Sequence, residues 1–236
     1  MTSTVPSAAA DAPTFAADLT ALVDEVRSLT LSGRRHVLGI AGTPGAGKST
    51  ISDALLEALG DQAVLVGMDA FHLSNRQLER LGRTHRKGAP DTFDVAGYRS
   101  MLERVRDHRE TVYAPVFDRS IEESIAAAVV IPVDVPIVIT EGNYLLLESD
   151  GWAEIRHLLD TAWFVDVDPD ERRRRLVARR RSHGHPADEA SAWVHDVDEP
   201  NAVLVEGTRV RADLVVHLPP SAAGITPASN PKGARA

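Results

Sequence analysis

A glycine-rich loop at residues 42–49, Gly-Thr-Pro-Gly-Ala-Gly-Lys-Ser, limits the folds open to this chain more than any other feature. It follows the apolar run 36–41, which predicts a buried strand, and it precedes residues 51–59, whose apolar side chains recur at helical spacing. Gly60 then suits the end of that helix. A strand, a tight loop and a helix in this order are typical of α/β domains built on a parallel sheet.

The loop matches G-x-x-x-x-G-K-[ST], the P-loop pattern for phosphate binding. Glycines let backbone N–H groups turn inward around an anion, and the N-terminus of the following helix adds a positive potential. A glycine-rich turn that binds nothing is the alternative, but the strand before it and the helix after it favour phosphate binding. We therefore predict a site for the phosphates of a nucleoside triphosphate, ATP or another, formed by Gly42, Gly45, Ala46, Gly47, Lys48, Ser49 and Thr50. Lys48 is expected to reach the β- and γ-phosphates, and the Ser49 hydroxyl to ligate Mg²⁺.

Short apolar runs elsewhere complete a predicted five-stranded parallel sheet. Besides 36–41, the runs are 64–68, 137–140, 163–167 and 214–218, and the spacing of apolar residues predicts an amphipathic helix over 14–30. Continuous rather than alternating hydrophobicity is typical of parallel strands that are buried on both faces. Ligands of such sheets bind at the carboxyl ends of the strands, so we expect functional residues there.

Length and composition fit one domain. The chain has 236 residues, 43% of them hydrophobic, and we expect a single domain over 14–220 with disordered tails at 1–13 and 221–236. The lack of cysteine excludes disulfides and thiolate metal sites, and no apolar run is long enough to span a membrane. The N-terminus lacks a signal-peptide pattern, so a cytoplasmic location is expected. A net charge of −8 argues against nucleic acid as a partner, whereas a homodimer stays possible.

Two carboxylates follow predicted strands. Glu141 ends the run 137–140, beside the P-loop strand in such a sheet, and we predict that it binds Mg²⁺ together with Ser49. A glutamate that caps a loop or pairs with a lysine is the alternative. Asp69 follows 64–68 and is predicted to accept the proton of an acceptor hydroxyl, although it could also cap the next helix.

Other P-loop classes fit less well. The guanine-reading N-K-x-D of GTPases is absent, and the D-x-x-G match at Asp94–Gly97 lacks a preceding apolar strand. The Asp-Glu pair that ends a strand in motor and AAA-type ATPases is absent as well.

An arginine-dense segment follows the strand 163–167. Seven of the 26 basic residues lie between Arg172 and Arg181, after Asp168 as a predicted N-cap. Helical spacing places Arg172, Arg175 and Arg179 on one face. A solvated basic helix is the alternative for any single arginine, but we predict that Arg175 or Arg179 contacts phosphate.

Several motifs together resemble the phosphoribulokinase/uridine kinase superfamily, in particular its bacterial uridine kinase-like branch, which is related to type I pantothenate kinase. They are MDAFHLSNRQLERLGRTHRKGAPDTFDVAGY, VYAPVFDR, EGNYLLL, WFVDVD, RLVARR and DEPNAVLV, in that order over residues 15–218. Two departures from the family stand out. MDAFH replaces the D-S-F-Y usual in true uridine kinases, and the pantothenate-kinase stretches around the acceptor are only partly present.

The resemblance implies a three-layer α/β P-loop fold of the nucleotide-kinase type, with a small β-ribbon near 111–133 and an arginine-rich lid near 169–186. It places the strand at 64–68 beside the strand at 137–140, with the P-loop strand next. It also implies that Asp69 is the catalytic base. The acceptor residues it suggests are His72, Arg86, Lys87, Tyr113 and Arg119, for each of which a solvated or packing role is the alternative. Asn201 matches a family segment without a clear role.

The expected function is ATP-dependent transfer of a phosphoryl group to a hydroxyl of a small metabolite. A nucleoside, a sugar and pantothenate all stay open as acceptors. The alternative is a P-loop NTP hydrolase, or a nucleotide-dependent regulator that has no small-molecule acceptor.

Overall fold

The computed structural model describes residues 14–16, 18–30 and 33–218. The tails predicted at 1–13 and 221–236 lie outside these ranges. The helices are α1 Leu19–Thr30, α2 Lys48–Leu59, α3 Asn75–Arg80, α4 Val95–Asp107, α5 Ala153–His157, α6 Pro169–Ser182, α7 Ala187–Trp193 and α8 Glu199–Glu206. The strands are β1 Thr14–Ala16, β2 His36–Gly42, β3 Ala63–Gly67, β4 Val112–Asp118, β5 Glu123–Ile131, β6 Ile137–Gly142, β7 Thr161–Asp166 and β8 Leu214–His217.

The main sheet contains all five predicted strands, in parallel, and one strand more. Its order is β1-β8-β7-β2-β6-β3, so the P-loop strand β2 lies between β7 and β6, and β3 lies beyond β6, as predicted. The sixth strand is β1, which pairs with β8 at the edge. The prediction of a helix over 14–30 was therefore wrong in its first residues, because backbone pairing with a distant strand overrides local periodicity at 14–16.

Helices cover both faces of the sheet, which gives the predicted three layers. Alternate residues of β2 point to opposite faces: Val37 packs in the layer of α4 and α5, and Leu38 packs in the layer of α1 and α2. β7 alternates in the same way, with Phe164 on the first face and Trp163 on the second. Apolar burial on both faces explains why these strands read as continuous apolar runs.

Two smaller parts complete the fold. β4 and β5 form the predicted antiparallel ribbon, paired from Val112↔Ile131 to Asp118↔Glu123. After β7, Asp168 caps α6 by accepting hydrogen bonds from the N–H groups of Asp170 and Glu171, both at 3.0 Å.

The D-x-x-G match at Asp94–Gly97 is a helix cap too, because the Asp94 carboxylate accepts from the Gly97 N–H at 2.9 Å. Among the described residues, no helix is both long and apolar enough to cross a membrane.

Candidate active site

A polar cleft of about 850 Å³ opens at the carboxyl ends of β2, β3 and β6. Six parts of the chain surround it: the P-loop, the turn that follows β3, the turn that follows β6, the turn at 84–88, the tip of the β4–β5 ribbon, and the α6–α8 segment. A parallel sheet brings these loops together because all its strands end at the same edge. The cleft therefore joins the P-loop to residues up to about 150 positions away in sequence.

The P-loop forms one end of the cleft. Gly45, Gly47, Lys48, Ser49 and Thr50 line it. Gly47 has φ 99° and starts α2 without a side-chain cap, so the N–H groups of the first helical turn face a potential anion. A Cβ on Gly45, which has φ 79°, would lie 2.8 Å from Leu176 Cγ, so glycine here lets the loop pack on α6.

Two predicted P-loop contacts do not line the cleft. Ala46 is fully buried in the core beneath α2. Gly42 lies against β7, where an added Cβ would come within 2.7 Å of the Val165 carbonyl oxygen. Both residues lie on the protein side of the loop, whereas Gly45 and the residues from Gly47 to Thr50 face the cleft.

Lys48 lies across the base of the loop. Its Nζ donates to the carbonyl oxygens of Gly42 and Thr43, both at 3.0 Å, and to Asn143 Oδ1 at 2.7 Å. Burial lowers the pKa of Lys48 to about 8, although the charges of Glu141 and Asp69 oppose this shift. The ammonium group is therefore mostly protonated at neutral pH and is held by three acceptors beside the phosphate-binding loop.

Ser49 and Glu141 meet in the predicted metal position. The Ser49 hydroxyl lies 3.0 Å from Glu141 Oε1 and 3.1 Å from Oε2, a contact between the first turn of α2 and the end of β6. Burial raises the pKa of Glu141, and Lys48 opposes the shift. Among the described residues no group of three or more acidic, histidine or cysteine side chains could hold a metal. One hydroxyl and one carboxylate fit Mg²⁺, which usually takes few protein ligands and completes its shell with phosphates and water.

Asp69 faces the P-loop from the turn Met68–Phe71 after β3. Its Oδ2 accepts a hydrogen bond from Arg119 Nη2 at 2.9 Å, and its Oδ1 accepts none within the described residues. Burial opposes ionisation, but His72, Arg119 and Lys48 outweigh it, so the pKa of Asp69 is lowered from its usual value. The cleft thus holds an ionised carboxylate with one free oxygen opposite the phosphate-binding loop.

His72 lines the cleft beside Asp69 but is held by its neighbours. Its Nδ1 donates to the Asp69 carbonyl oxygen at 2.8 Å, and its ring lies 4.0 Å from that of Phe93 and 5.0 Å from that of Phe117. Burial lowers the pKa of His72, although Asp69 opposes the shift. The imidazole is therefore neutral at pH 7, and its packed ring stabilises the turn that carries Asp69.

The structure divides the remaining predicted acceptor residues. Lys87 and Arg119 line the cleft, near the ring of Phe117 at 5.2 and 5.8 Å. Lys87 Nζ also donates to Asn75 Oδ1 at 2.8 Å and to the Glu122 carbonyl oxygen at 2.6 Å.

Arg86 and Tyr113 are not brought to the cleft. Arg86 lies outside the lining and pairs with Asp91 at 2.6 Å. Tyr113 is 59% exposed on β4 and lies outside the lining. Neither residue lines the cleft, because neighbours in sequence on a turn or a strand point in different directions.

Two of the three arginines predicted to share a face of α6 reach the cleft. Arg175 and Arg179 line it, and Arg175 Nε is held by Glu171 Oε1 at 2.7 Å. The charge of Arg179 interacts with those of Asp69 and Asp198. Arg172 instead is buried against Glu199 at 2.5 Å, so it ties α6 to α8 and does not reach a ligand.

Sequence reasoning missed several lining residues. Asn143 follows Glu141 at the end of β6, and its position after a strand at the sheet edge was the available signal. Trp193, Val197 and Asp198 come from the end of α7 and from a π-helical segment, Val194–Asp198, which local spacing does not predict. Asn201, whose role was open, is 9% exposed and lines the same wall.

Residues 37–223 match the sequence profile of the Phosphoribulokinase / Uridine kinase family. The chain is 32% identical to the uncharacterised protein YggC of Escherichia coli (strain K12), over 78% of each chain. It is 30% identical to a uridine kinase of Chlamydia pneumoniae, over 77% of this chain and 81% of that one. Among solved structures, a candidate fructose transport system kinase from Silicibacter sp. TM1040 superposes with a TM-score of 0.77 at 37% identity, covering 84% of this chain and 98% of that one.

Proposed function

Because the chain belongs to the phosphoribulokinase/uridine kinase family, it is a small-molecule kinase, and we propose that the cleft residues described above carry out the transfer of the γ-phosphoryl group of ATP to a hydroxyl of a small metabolite. One observation carries the assignment of residues: Asp69 and the P-loop line the same cleft, after β3 and β2, with β6 between these strands. Phosphoryl transfer needs a bound phosphate chain and an oriented hydroxyl across one gap, and this arrangement supplies both.

The P-loop end binds the nucleotide. The N–H groups after Pro44 and at the start of α2 surround the phosphates, and Lys48 neutralises charge on the β- and γ-phosphates. To contact the phosphates, the Lys48 ammonium gives up some of its present hydrogen bonds. It can do so because its present acceptors are neutral carbonyl and amide oxygens. Ser49 and Glu141 would hold Mg²⁺, and a bound Mg²⁺ would supply positive charge that offsets the charge on the phosphates.

The opposite end orients the acceptor. Asp69 accepts a hydrogen bond from the acceptor hydroxyl through Oδ1, because Arg119 already occupies Oδ2. The proton moves to Asp69 as the bond from oxygen to phosphorus forms, and the leaving oxygen stays on ADP. Arg175 and Arg179, on α6, lie where they can stabilise charge on the transferring group.

A screen of acceptors tests this function. Purified protein, ATP and Mg²⁺ are incubated with nucleosides, sugars, pantothenate and other hydroxylated metabolites, while ADP release is measured and the phosphorylated product is identified by mass spectrometry. We expect at least one acceptor to raise ADP release well above the rate with water alone. Equal ADP release with and without every acceptor would favour an NTP hydrolase or a nucleotide-dependent regulator over the proposed kinase.

A further inference from the structure

Four carboxylates line the cleft, and they differ in their partners. Asp69 is paired with Arg119, Glu141 with Ser49, and Glu122 with Lys87 at 3.7 Å. Within the described residues, the side chain of Asp198 makes no hydrogen bond or ion pair, and it does not cap α8, at whose start it lies. A carboxylate that lines a cleft without a protein partner is available to a ligand.

The backbone explains why Asp198 faces the cleft. It ends the π-helical segment Val194–Asp198, which continues from α7 and runs directly into α8. The wider turn changes the register of the helix, so Trp193, Val197, Asp198 and Asn201 all line one wall. Such insertions in helices are frequent at functional sites, since they place side chains that a regular helix would turn away.

Asp198 lies on the acceptor side of the cleft. Its charge interacts with the hydroxyl of Tyr144, which donates to the Gly88 carbonyl oxygen at 2.6 Å, and Gly88 belongs to the turn that carries Lys87. Its charge also interacts with Arg179, as does that of Asp69. The charge of Arg179 thus acts on both carboxylates, one at the proposed reacting hydroxyl and one near the hydroxyl of Tyr144.

We propose that Asp198, together with Asn201 one helical turn later, binds hydroxyl groups of the acceptor other than the one that is phosphorylated, so that the acceptor is an uncharged polyol such as a sugar or a nucleoside. This inference rests on the proposed kinase function. A carboxylate accepts hydrogen bonds from hydroxyls and repels carboxylates and phosphates, so it selects against hydroxy acids.

The cations nearby do not favour an anionic acceptor. On the acceptor side, Arg119 is engaged by Asp69, and Lys87 by Asn75 and the Glu122 carbonyl. The arginines of α6 that also line the cleft have other roles: Arg175 is held by Glu171, Arg180 lies over the ring of Trp193 at 4.3 Å, and Arg179 is proposed to stabilise the transferring phosphoryl group. An acceptor anion on this side would have to displace these contacts, whereas hydroxyls can bind Asp198 and Asn201 without displacing a partner from the described part of the chain. The ring of Phe117, near both cations, adds an apolar face of the kind on which sugars and bases pack.

Binding through Asp198 is expected to depend on pH. Burial raises the pKa of Asp198 to about 6, against the opposing effect of Arg179, Arg180 and Arg172 on α6, and Glu199 raises it further. Above about pH 6 the carboxylate is ionised and accepts hydrogen bonds from two hydroxyls. As the pH falls through about 6 it takes up a proton, and affinity for the acceptor falls.

The test compares Asp198→Asn with Asp196→Asn, the same change on the same π-helical segment at an exposed position outside the lining. The probes are D-fructose and uridine as polyols, and pantothenate and D-glycerate as hydroxy acids. We expect wild-type activity with a polyol, and in Asp198→Asn an acceptor KM raised about tenfold or more, because a charged hydrogen bond is lost. The KM for ATP should change less than about twofold, and Asp196→Asn should match the wild type.

Three results would overturn the inference. An equal rise in the KM for ATP would mean that Asp198 positions Arg179 rather than binding the acceptor. Activity confined to the hydroxy acids would contradict the polyol assignment while leaving the kinase function intact. An acid-side loss of acceptor affinity that is the same in Asp198→Asn and wild type would assign the titration to another group. Absence of turnover with every probe, by contrast, is the failure of the proposed function itself, and the acceptor screen detects it separately.

Discussion

The two ends of the cleft are built differently. The nucleotide end comes mostly from one continuous stretch, the P-loop and the first turn of α2, and it presents mainly backbone N–H groups. The acceptor end combines side chains from the turns after β3 and near Gly88, from the ribbon, and from the α6–α8 segment. A site formed by backbone N–H groups depends on the conformation of the whole loop, so few substitutions in the loop preserve it. A site formed by separate side chains can change through single substitutions.

The ends also differ in how their charges are balanced. Lys48 has three acceptors, and Ser49 and Glu141 contact each other, so the nucleotide end is already organised. At the acceptor end, Asp69 has one partner and Asp198 has none within the described residues. Under the proposed function, this difference would leave the first end preorganised for the nucleotide and the second end with groups available for the acceptor.

The largest expected effect tests the nucleotide end. Lys48→Ala removes the cation that neutralises phosphate charge and leaves Asn143 Oδ1 without its partner. We expect turnover to fall by about 10³-fold or more and ATP binding to weaken, as seen when preorganised charge stabilisation is lost. Steady-state kinetics and ATP titration by calorimetry measure the two effects. Normal turnover in this variant would show that phosphate charge is neutralised elsewhere.

The next effect separates the two ends. Asp69→Asn keeps the shape of the side chain but removes its ability to accept a proton, so turnover should fall by about 10²-fold or more. ATP affinity should stay near that of the wild type, because Asp69 lies on the acceptor side. Asp61→Asn, at an exposed position outside the cleft, is the matched control. A parallel loss of ATP affinity would instead assign Asp69 to the nucleotide or its metal.

A smaller effect concerns the contact that holds Asp69. Arg119 lowers the pKa of Asp69, and activity needs the ionised carboxylate, so activity is lost as the pH falls through that pKa. Arg119→Ala removes one lowering influence, and the acid limb of the pH profile of kcat/KM should move to higher pH. At neutral pH we expect kcat/KM to fall by about tenfold to hundredfold. An unmoved acid limb would mean that a group other than Asp69 controls it.

The smallest effects concern the residues that the structure places outside the cleft. Tyr113→Ala should leave kcat/KM within about twofold of the wild type, as is usual for exposed positions. Arg86→Ala should cost less than about 1 kcal/mol of unfolding free energy, because its pair with Asp91 is largely solvated. Kinetics and thermal unfolding check both variants. A large rise in the acceptor KM for either one would extend the acceptor site beyond the cleft described above.

Local sequence patterns were enough to predict much of the fold and the nucleotide end of the cleft. The strand–loop–helix order and the P-loop spacing depend only on residues that are close in sequence. Continuous apolar runs predicted the strands, as at β6 and β7. The capping of α6 by Asp168 was also visible, because a cap depends only on neighbouring residues. Paired strands confirmed the predicted order of β3, β6 and β2.

The sequence by itself determined the P-loop, to which we assign phosphate binding, because its backbone geometry is encoded in one short stretch. Only the tertiary structure decided which other residues line the cleft and how the edge of the sheet is paired. It placed β1 beside β8, turned Arg172 towards Glu199, kept Tyr113 outside, and brought Asn143 and Asp198 to the cleft. The physical reason is that these positions depend on pairing and packing between segments far apart in sequence, and local spacing carries no information about them.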